Sequence, residues 1–409
     1  MVEYDPFSQQ SMRDPYPAYR ALRAEGAVHA LPQYDAFALP RFAEVWAVLQ
    51  DMESFSIVEG PVFVREALLE PAVLEARSPS DPNLSFSMWD PPLHSRIRQV
   101  MSPPFRPRFV AALEQRIREM ARERLDEWVP QGRFDLATDY VAPVVVRVAC
   151  DILGFPPEEG PALVSIVNRS ARREPGKAGQ TADGVRAQAE LGAFAVEQVA
   201  ARRGRSATEP RVVDALLEAE FDGAKLDDVQ IATQLISLLV GGTETMPKIL
   251  AGGARELARA PEQREALVAD RGLVIPAFEE MIRHQGVLQS IGRTAKRAVA
   301  VGETTLQAGQ RVFLLLQSAN RDEREFEDPE RFDVHRAAPR HVGFGYGQHH
   351  CIGTHVARLE GRVLLEEFLA RVPTYEVIEE EVVRPPSEFQ LGYTSLPIGF
   401  ESEGSHARR

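Results

Sequence analysis

His341-Val-Gly-Phe344-Gly345-Tyr-Gly347-Gln-His349-His-Cys351-Ile-Gly353 sets one cysteine in a run of glycines. The amphipathic segment that follows, Thr354 to Ala370, predicts a helix. Gly345, Gly347 and Gly353 give the loop the backbone freedom to approach a neighbour closely. The positive end of the following helix and nearby N–H groups favour a deprotonated sulfur. Phe344 and Ile352 offer an apolar wall beside it. The other cysteine, Cys150, lies in Val146-Arg-Val-Ala-Cys150-Asp-Ile and reads as a small buried hydrophobe. Two cysteines in such different settings make no disulfide framework, and they fit a reducing, cytoplasmic compartment.

Upstream, Asp227-Asp228 predicts the start of a long helix through Ile231, Leu235, Leu238 and Leu239. Inside it stands Leu239-Val-Gly241-Gly242-Thr243-Glu244-Thr245. Two glycines and an acid–alcohol pair are poor choices for a helix interior. A small-residue helix crossing explains the glycines but not the acid beside the threonine. Pro247 removes a backbone donor and crowds the carbonyl of Thr243, so a distortion is expected there. Other helices are expected from about 104 to 125, then up to Ile152, where Gly154-Phe155-Pro156-Pro157 stops the run, and over about 276–285 and 352–371. The first 60 residues mix short helices and strands, as at Phe37–Leu39 and Val45–Leu49. Strands are expected at 298–301 and 311–316, and a polar, Gly-rich loop at 171–184. The fold class is mainly α with small β-sheets (α+β), in a single domain over 1–409.

Composition agrees. The chain has 409 residues, 44% of them hydrophobic, enough for a large core. A net charge of -13 favours solubility and argues against a broad nucleic-acid surface. The N-terminus has no apolar signal region, and no stretch of about 18 apolar residues predicts a membrane span.

Phe-Gly-x-Gly-x-His-x-Cys-x-Gly, ending at Gly353, resembles the haem-binding signature of the cytochrome P-450 family at every defining position. The resemblance covers nearly the whole chain. It implies haem b sandwiched between the long distal helix and a proximal helix, with Cys351 as axial iron ligand. Glu280-Met-Ile-Arg283 is by itself an ordinary helical pair. It resembles the family's Glu-x-x-Arg, and Asp328-Pro-Glu330-Arg331-Phe332 resembles the segment whose arginine joins it. A buried triad of Glu280, Arg283 and Arg331, steadying the cysteine loop, is therefore implied. The resemblance also implies cofactor contacts at His94, Arg98, Arg293, His341, Phe344 and His349, mostly donors to the haem propionates. Thr245 is implied to hydrogen-bond dioxygen and order a water, and Glu244 to relay protons. Pocket walls are implied at Phe86, Met88, Leu238, Gly242, Leu288, Gln289 and Thr394, with Gln289 able to meet a substrate oxygen.

The implied reaction inserts one atom of dioxygen into a small apolar organic substrate. A monomer would draw electrons from an external ferredoxin and its reductase, since no flavin or iron–sulfur region is fused to the chain. Arg96, Arg106, Arg108, Arg340, Arg358 and Arg362 are expected to form the docking patch. A peroxide-driven peroxygenase and a non-enzymatic haem sensor are the alternatives. Glu244-Thr245 disfavours both.

Overall fold

Asp227 caps the longest helix. Its carboxylate accepts from the Gln230 N–H at 2.8 Å, and Gln230 Oε1 accepts from the Asp227 N–H at 3.0 Å, a reciprocal cap that satisfies two free donors. From there Asp228–Arg259 runs for 32 residues. Ile231, Leu235 and Leu239 recur on one side and are buried. The helix packs against Ala142–Leu153, Ala182–Arg202 and Val274–Gln285. Pro247 lies within it without breaking it, so the expected distortion is not an interruption. The hydroxyls of Thr243 and Thr245 donate back to the carbonyls of Leu239 (2.8 Å) and Gly241 (2.9 Å).

The computed structural model describes residues 2–70, 81, 83–172, 174, 180–205, 211–337 and 340–401. A second pillar, Thr354–Arg371, follows the cysteine loop and packs on Glu114–Trp128 and Val274–Gln285. Charges as well as apolar contacts join it to Glu114–Trp128. Arg118 pairs with Glu366 at 2.8 Å and with Glu367 at 2.6 Å. Leu93–Met101 is the helix that carries His94 and Arg98.

Strands are short. The largest sheet runs His29–Leu31, Ala36–Leu39, Arg311–Leu314, Ile291–Ala295, Phe55–Ser56 in spatial order. It holds Arg293 opposite Val312 in an antiparallel register. Of the two short segments expected in the mixed N-terminal region, 37–39 lies in a strand of this sheet and 45–49 in the helix Phe42–Gln50. Arg311 enters a strand that ends at Leu314, and the chain then turns into the short helix Leu316–Ala319. Part of the expected 171–184 loop falls outside the described residues. Its end is helical, because Thr181 caps Ala182–Arg202. Among the described residues, no helix is long and apolar enough to cross a membrane.

Candidate active site

The cysteine loop is closed by its own backbone. The Cys351 N–H donates to the Phe344 carbonyl at 2.9 Å, and the Thr354 hydroxyl donates to the Cys351 carbonyl at 2.7 Å. Gly347 has φ +70°, and a Cβ there would lie 2.5 Å from the Leu49 carbonyl oxygen. Only glycine fits so close to the helix Phe42–Gln50. Trp46 of that helix stacks on Tyr346 with ring centroids 3.6 Å apart. Cys351 is exposed at the surface of its loop, with protein groups close around its sulfur. Burial raises its pKa. The Gly353 N–H, the Thr354 hydroxyl, Arg98 and Arg358 oppose that rise.

Beside the cysteine loop the structure gathers two neutral imidazoles and the arginines Arg98 and Arg293. His94 and His349 stack with centroids 3.9 Å apart. Both nitrogens of His94, Nε2 of His349, and Nε and Nη2 of Arg293 are buried without a hydrogen-bond partner. Burial pulls His94 down to about 4 and His349 to about 2, and nearby Arg98 and Arg293 push in the same direction. Burial also lowers Arg293, to about 10. Asp90 bears on Arg293, but its carboxylate accepts from the Ile57 N–H at 3.0 Å. Buried donors left in this state are costly unless an anion joins them. The two propionate carboxylates of haem b supply that chemistry, so the residues present fit the group. Arg98 donates to the His350 carbonyl and ties its helix to the cysteine loop. Phe344 lies partly buried under the Arg358 guanidinium.

His341 differs from this set. Its Nδ1 accepts from the Gly343 N–H at 3.1 Å, which leaves Nε2 to donate to Glu279 at 3.0 Å. Both ring nitrogens are therefore engaged within the protein. Although burial opposes it, hydrogen bonds from His341 and Arg358 hold the Glu279 carboxyl down at about 2.

The Glu280 network is buried, but its third member differs from the expected one. Arg283 grips Glu280 with two bonds, at 2.6 and 2.7 Å. Arg336, not Arg331, is the second arginine on Glu280, at 3.1 Å. The Arg331 side chain is 63% exposed and pairs with Asp328 and Asp333. Arg331 contributes only its carbonyl, which accepts from Arg283 and Arg336.

On the distal helix, Gly241 faces open space, with nothing within 4 Å of an added Cβ. Gly242 instead faces Ala149 of the neighbouring helix, so of the two glycines it is Gly241 that leaves open space. Leu238 precedes Gly241 by three residues and is buried. Phe86 is anchored against this helix because its N–H donates to Gln234 Oε1 at 2.6 Å, and Met88 lies in the same short turn. Gln289 is withdrawn from any substrate. Its oxygen accepts from the Tyr19 hydroxyl at 2.9 Å, and its amide donates to the Ser387 carbonyl. Leu288 pairs with Gln390. Thr394 lies further along the chain, bonded to the Val383 carbonyl. Its neighbour Tyr393 meets Arg255, near the far end of the distal helix. The part of the C-terminal turn that reaches the acid–alcohol pair is Gln390, not Thr394.

Glu244 is 7% exposed, and each of its carboxylate oxygens accepts a hydrogen bond. Lys248 Nζ donates to Oε1 at 2.8 Å and Gln390 Nε2 donates to Oε2 at 3.0 Å. Lys248 also donates to the Gln390 oxygen, which closes a ring of three side chains. The sequence carried a signal for this in a lysine four residues after an acid in an apolar helix.

The chain matches the cytochrome P450 family model over residues 161–400. Cytochrome P450 130 of Mycobacterium tuberculosis is 33% identical over 408 residues, covering 97% of each chain. The cytochrome P450 monooxygenase PikC of Streptomyces venezuelae is 30% identical, covering 100% of this chain and 96% of its own. Among solved structures, cytochrome P450 CYP109Q5 from Chondromyces apiculatus is similar at a TM-score of 0.82 and 30% identity, covering 98% of this chain and 99% of that one. With the family model running from before the distal helix to beyond the cysteine loop, and relatives aligned from end to end, this chain belongs to the cytochrome P450 family of haem b monooxygenases.

Proposed function

We propose that Cys351 is the axial iron ligand and that His94, Arg98, Arg293 and His349 receive the haem propionates. The observation that carries this reading is the buried, unpartnered Arg293 guanidinium beside two stacked histidines with unpartnered ring nitrogens, next to the Cys351 loop. Haem, when bound, supplies the chemistry of dioxygen activation. The chain's own residues hold and orient. Gly241 leaves room on the distal helix, and Leu238 and Phe86 supply an apolar wall for a small organic substrate. Thr245 keeps its hydroxyl hydrogen on the Gly241 carbonyl, so its oxygen lone pairs face outward to accept. Glu244 carries protons toward it. Two unpaired cysteines, one of them with its thiol pushed up to about 12 by burial, suit a reducing compartment. Electrons come from a ferredoxin-type donor docking near Arg106 and Arg108.

The test is spectroscopic. Cys351→Ala is expected to abolish the thiolate-type spectrum of the reduced carbon monoxide complex, and Cys150→Ala to preserve it. Retention of that spectrum in the Cys351 variant overturns the assignment.

A further inference from the structure

We infer that Lys248 is a positioning residue for proton delivery, holding Glu244 in a closed ion pair that must open for the acid to work, with Gln390 as the latch. This rests on the reading of Glu244 as a proton carrier.

Each proton that leaves the Glu244 carboxyl must be replaced from water. Both of its oxygens already have donors, and the side chain is almost wholly buried. A proton arriving on either oxygen therefore weakens the charge-assisted bonds from Lys248 and Gln390. The ring is built from two directions. Lys248 stands one helical turn beyond Glu244, so the helix itself fixes their spacing. Gln390 is set by main-chain pairing, since the Gln289 N–H donates to the Phe389 carbonyl at 2.8 Å and the Leu391 N–H to the Val287 carbonyl at 2.6 Å. Gly392 completes the approach. Its φ is +125°, and a Cβ there would lie 2.7 Å from the Lys248 Cβ, so the backbone of the turn lies directly on the lysine. The latch belongs to a segment next to Leu288, at the expected substrate wall. A substrate that shifts residues 387–392 loosens Gln390 first and the ion pair with it.

No other charged group in the described contacts reaches Glu244. Arg255, further along the same helix, pairs with Glu379, and Glu256 accepts from Gln285. On the helix Val274–Gln285, Glu279 holds His341 and Arg358, and Glu280 holds Arg283. On Ala142–Leu153, Arg147 pairs with Glu123 and Asp151 with Arg116.

Without Lys248, Glu244 is a buried acid with no counter-charge, and desolvation drives it to take up a proton. The haem-loaded enzyme is compared as wild type, Lys248→Met, Lys248→Arg and Gln390→Leu. Difference infrared spectra are expected to show a protonated-carboxyl band in Lys248→Met at a pH where the wild type and Lys248→Arg show none. Adding Glu244→Gln to Lys248→Met should remove the band. The pH profile of product formation should move by about a unit or more in Lys248→Met. It should move less, in the same direction, in Gln390→Leu, and return in Lys248→Arg. Lower melting temperature in Lys248→Met with no carboxyl band and an unmoved profile overturns the inference, as a merely structural lysine gives that result. Poor folding of Lys248→Met leaves Gln390→Leu to decide, and an unmoved profile there overturns it equally. Separately, wild-type coupling of reductant to product in Glu244→Gln overturns the proton-carrier reading, while the infrared comparison still judges the ion pair.

Discussion

His94 and His349 stack against each other with Arg293 nearby, a grouping stable only while the imidazoles stay neutral. His94 titrates at about 4 in the fold against 6.5 ordinarily, because it is buried and faces Arg98 and Arg293. When unfolded it binds a proton more readily than when folded. The stability this represents is fully present above 6.5 and is lost as pH falls toward 4. At about 1.4 kcal/mol per pKa unit the loss reaches about 3 kcal/mol for His94. Chemical denaturation of the chain freed of haem should show this decline, and haem loading should reduce it by supplying carboxylates. An unchanged pH slope in His94→Gln would refute the assignment. At this scale the sequence was legible where chemistry is local. Cys351 and the Glu244-Thr245 pair stand out by residue type and setting, whereas His94, Arg98 and Arg293 were implied only by the family resemblance. Gln289 was misread because a buried amide and a substrate-facing amide look alike in sequence. Only the fold brings Tyr19 and Ser387 to it.

Elements explain the remaining misreadings. Neighbouring residues on a helix point about 100° apart, so Gly241 faces open space and Gly242 faces Ala149. A sequence alone does not say which of two adjacent glycines faces inward. The Glu280 network shows the same limit in irregular chain. Glu280 and Arg283 share a helix face and were legible, but no period relates them to residues 328–336. Arg331 was the expected partner because of the Asp-Pro-Glu-Arg-Phe segment, yet that segment delivers its carbonyl, and Arg336 delivers the charge. The contrast sets a measurable difference. Arg336→Ala removes one partner of a carboxylate that is 0% exposed, and breaking such a pair costs about 3–5 kcal/mol. Arg331→Ala acts at an exposed side chain and should stay within about 0.5 kcal/mol. Denaturant midpoints of the two variants measure both, and equal losses would restore Arg331 to the network.

Across the whole molecule, a net charge of -13 makes any local excess of arginine conspicuous to an acidic partner. Most of the expected patch is neutralised by its neighbours. Arg340 pairs with Glu325, Arg358 with Glu279 and Arg362 with Glu114, while Arg96 turns to Asp222. Arg106 and Arg108, on either side of the start of the short helix Pro107–Ala111, are the members with no carboxylate partner among the described residues. Charge reversal at both should slow reduction by a ferredoxin and flatten its dependence on ionic strength, leaving substrate affinity unchanged. Stopped-flow reduction at several salt concentrations checks this, and unaltered rates rule the pair out as the docking site. The order in which the chain is made matters as well. The bond from Arg98 to the His350 carbonyl spans 252 residues, and Trp46 waits for Tyr346 across the length of the molecule. Contacts so distant in the chain form late and slowly, because their loops must close first. Translation delivers His94 and Arg98 long before the cysteine loop that completes their cradle. A chain halted before residue 341 carries His94, Arg98 and Arg293 but lacks Cys351, so under the proposed assignment it is expected to give no thiolate-type spectrum.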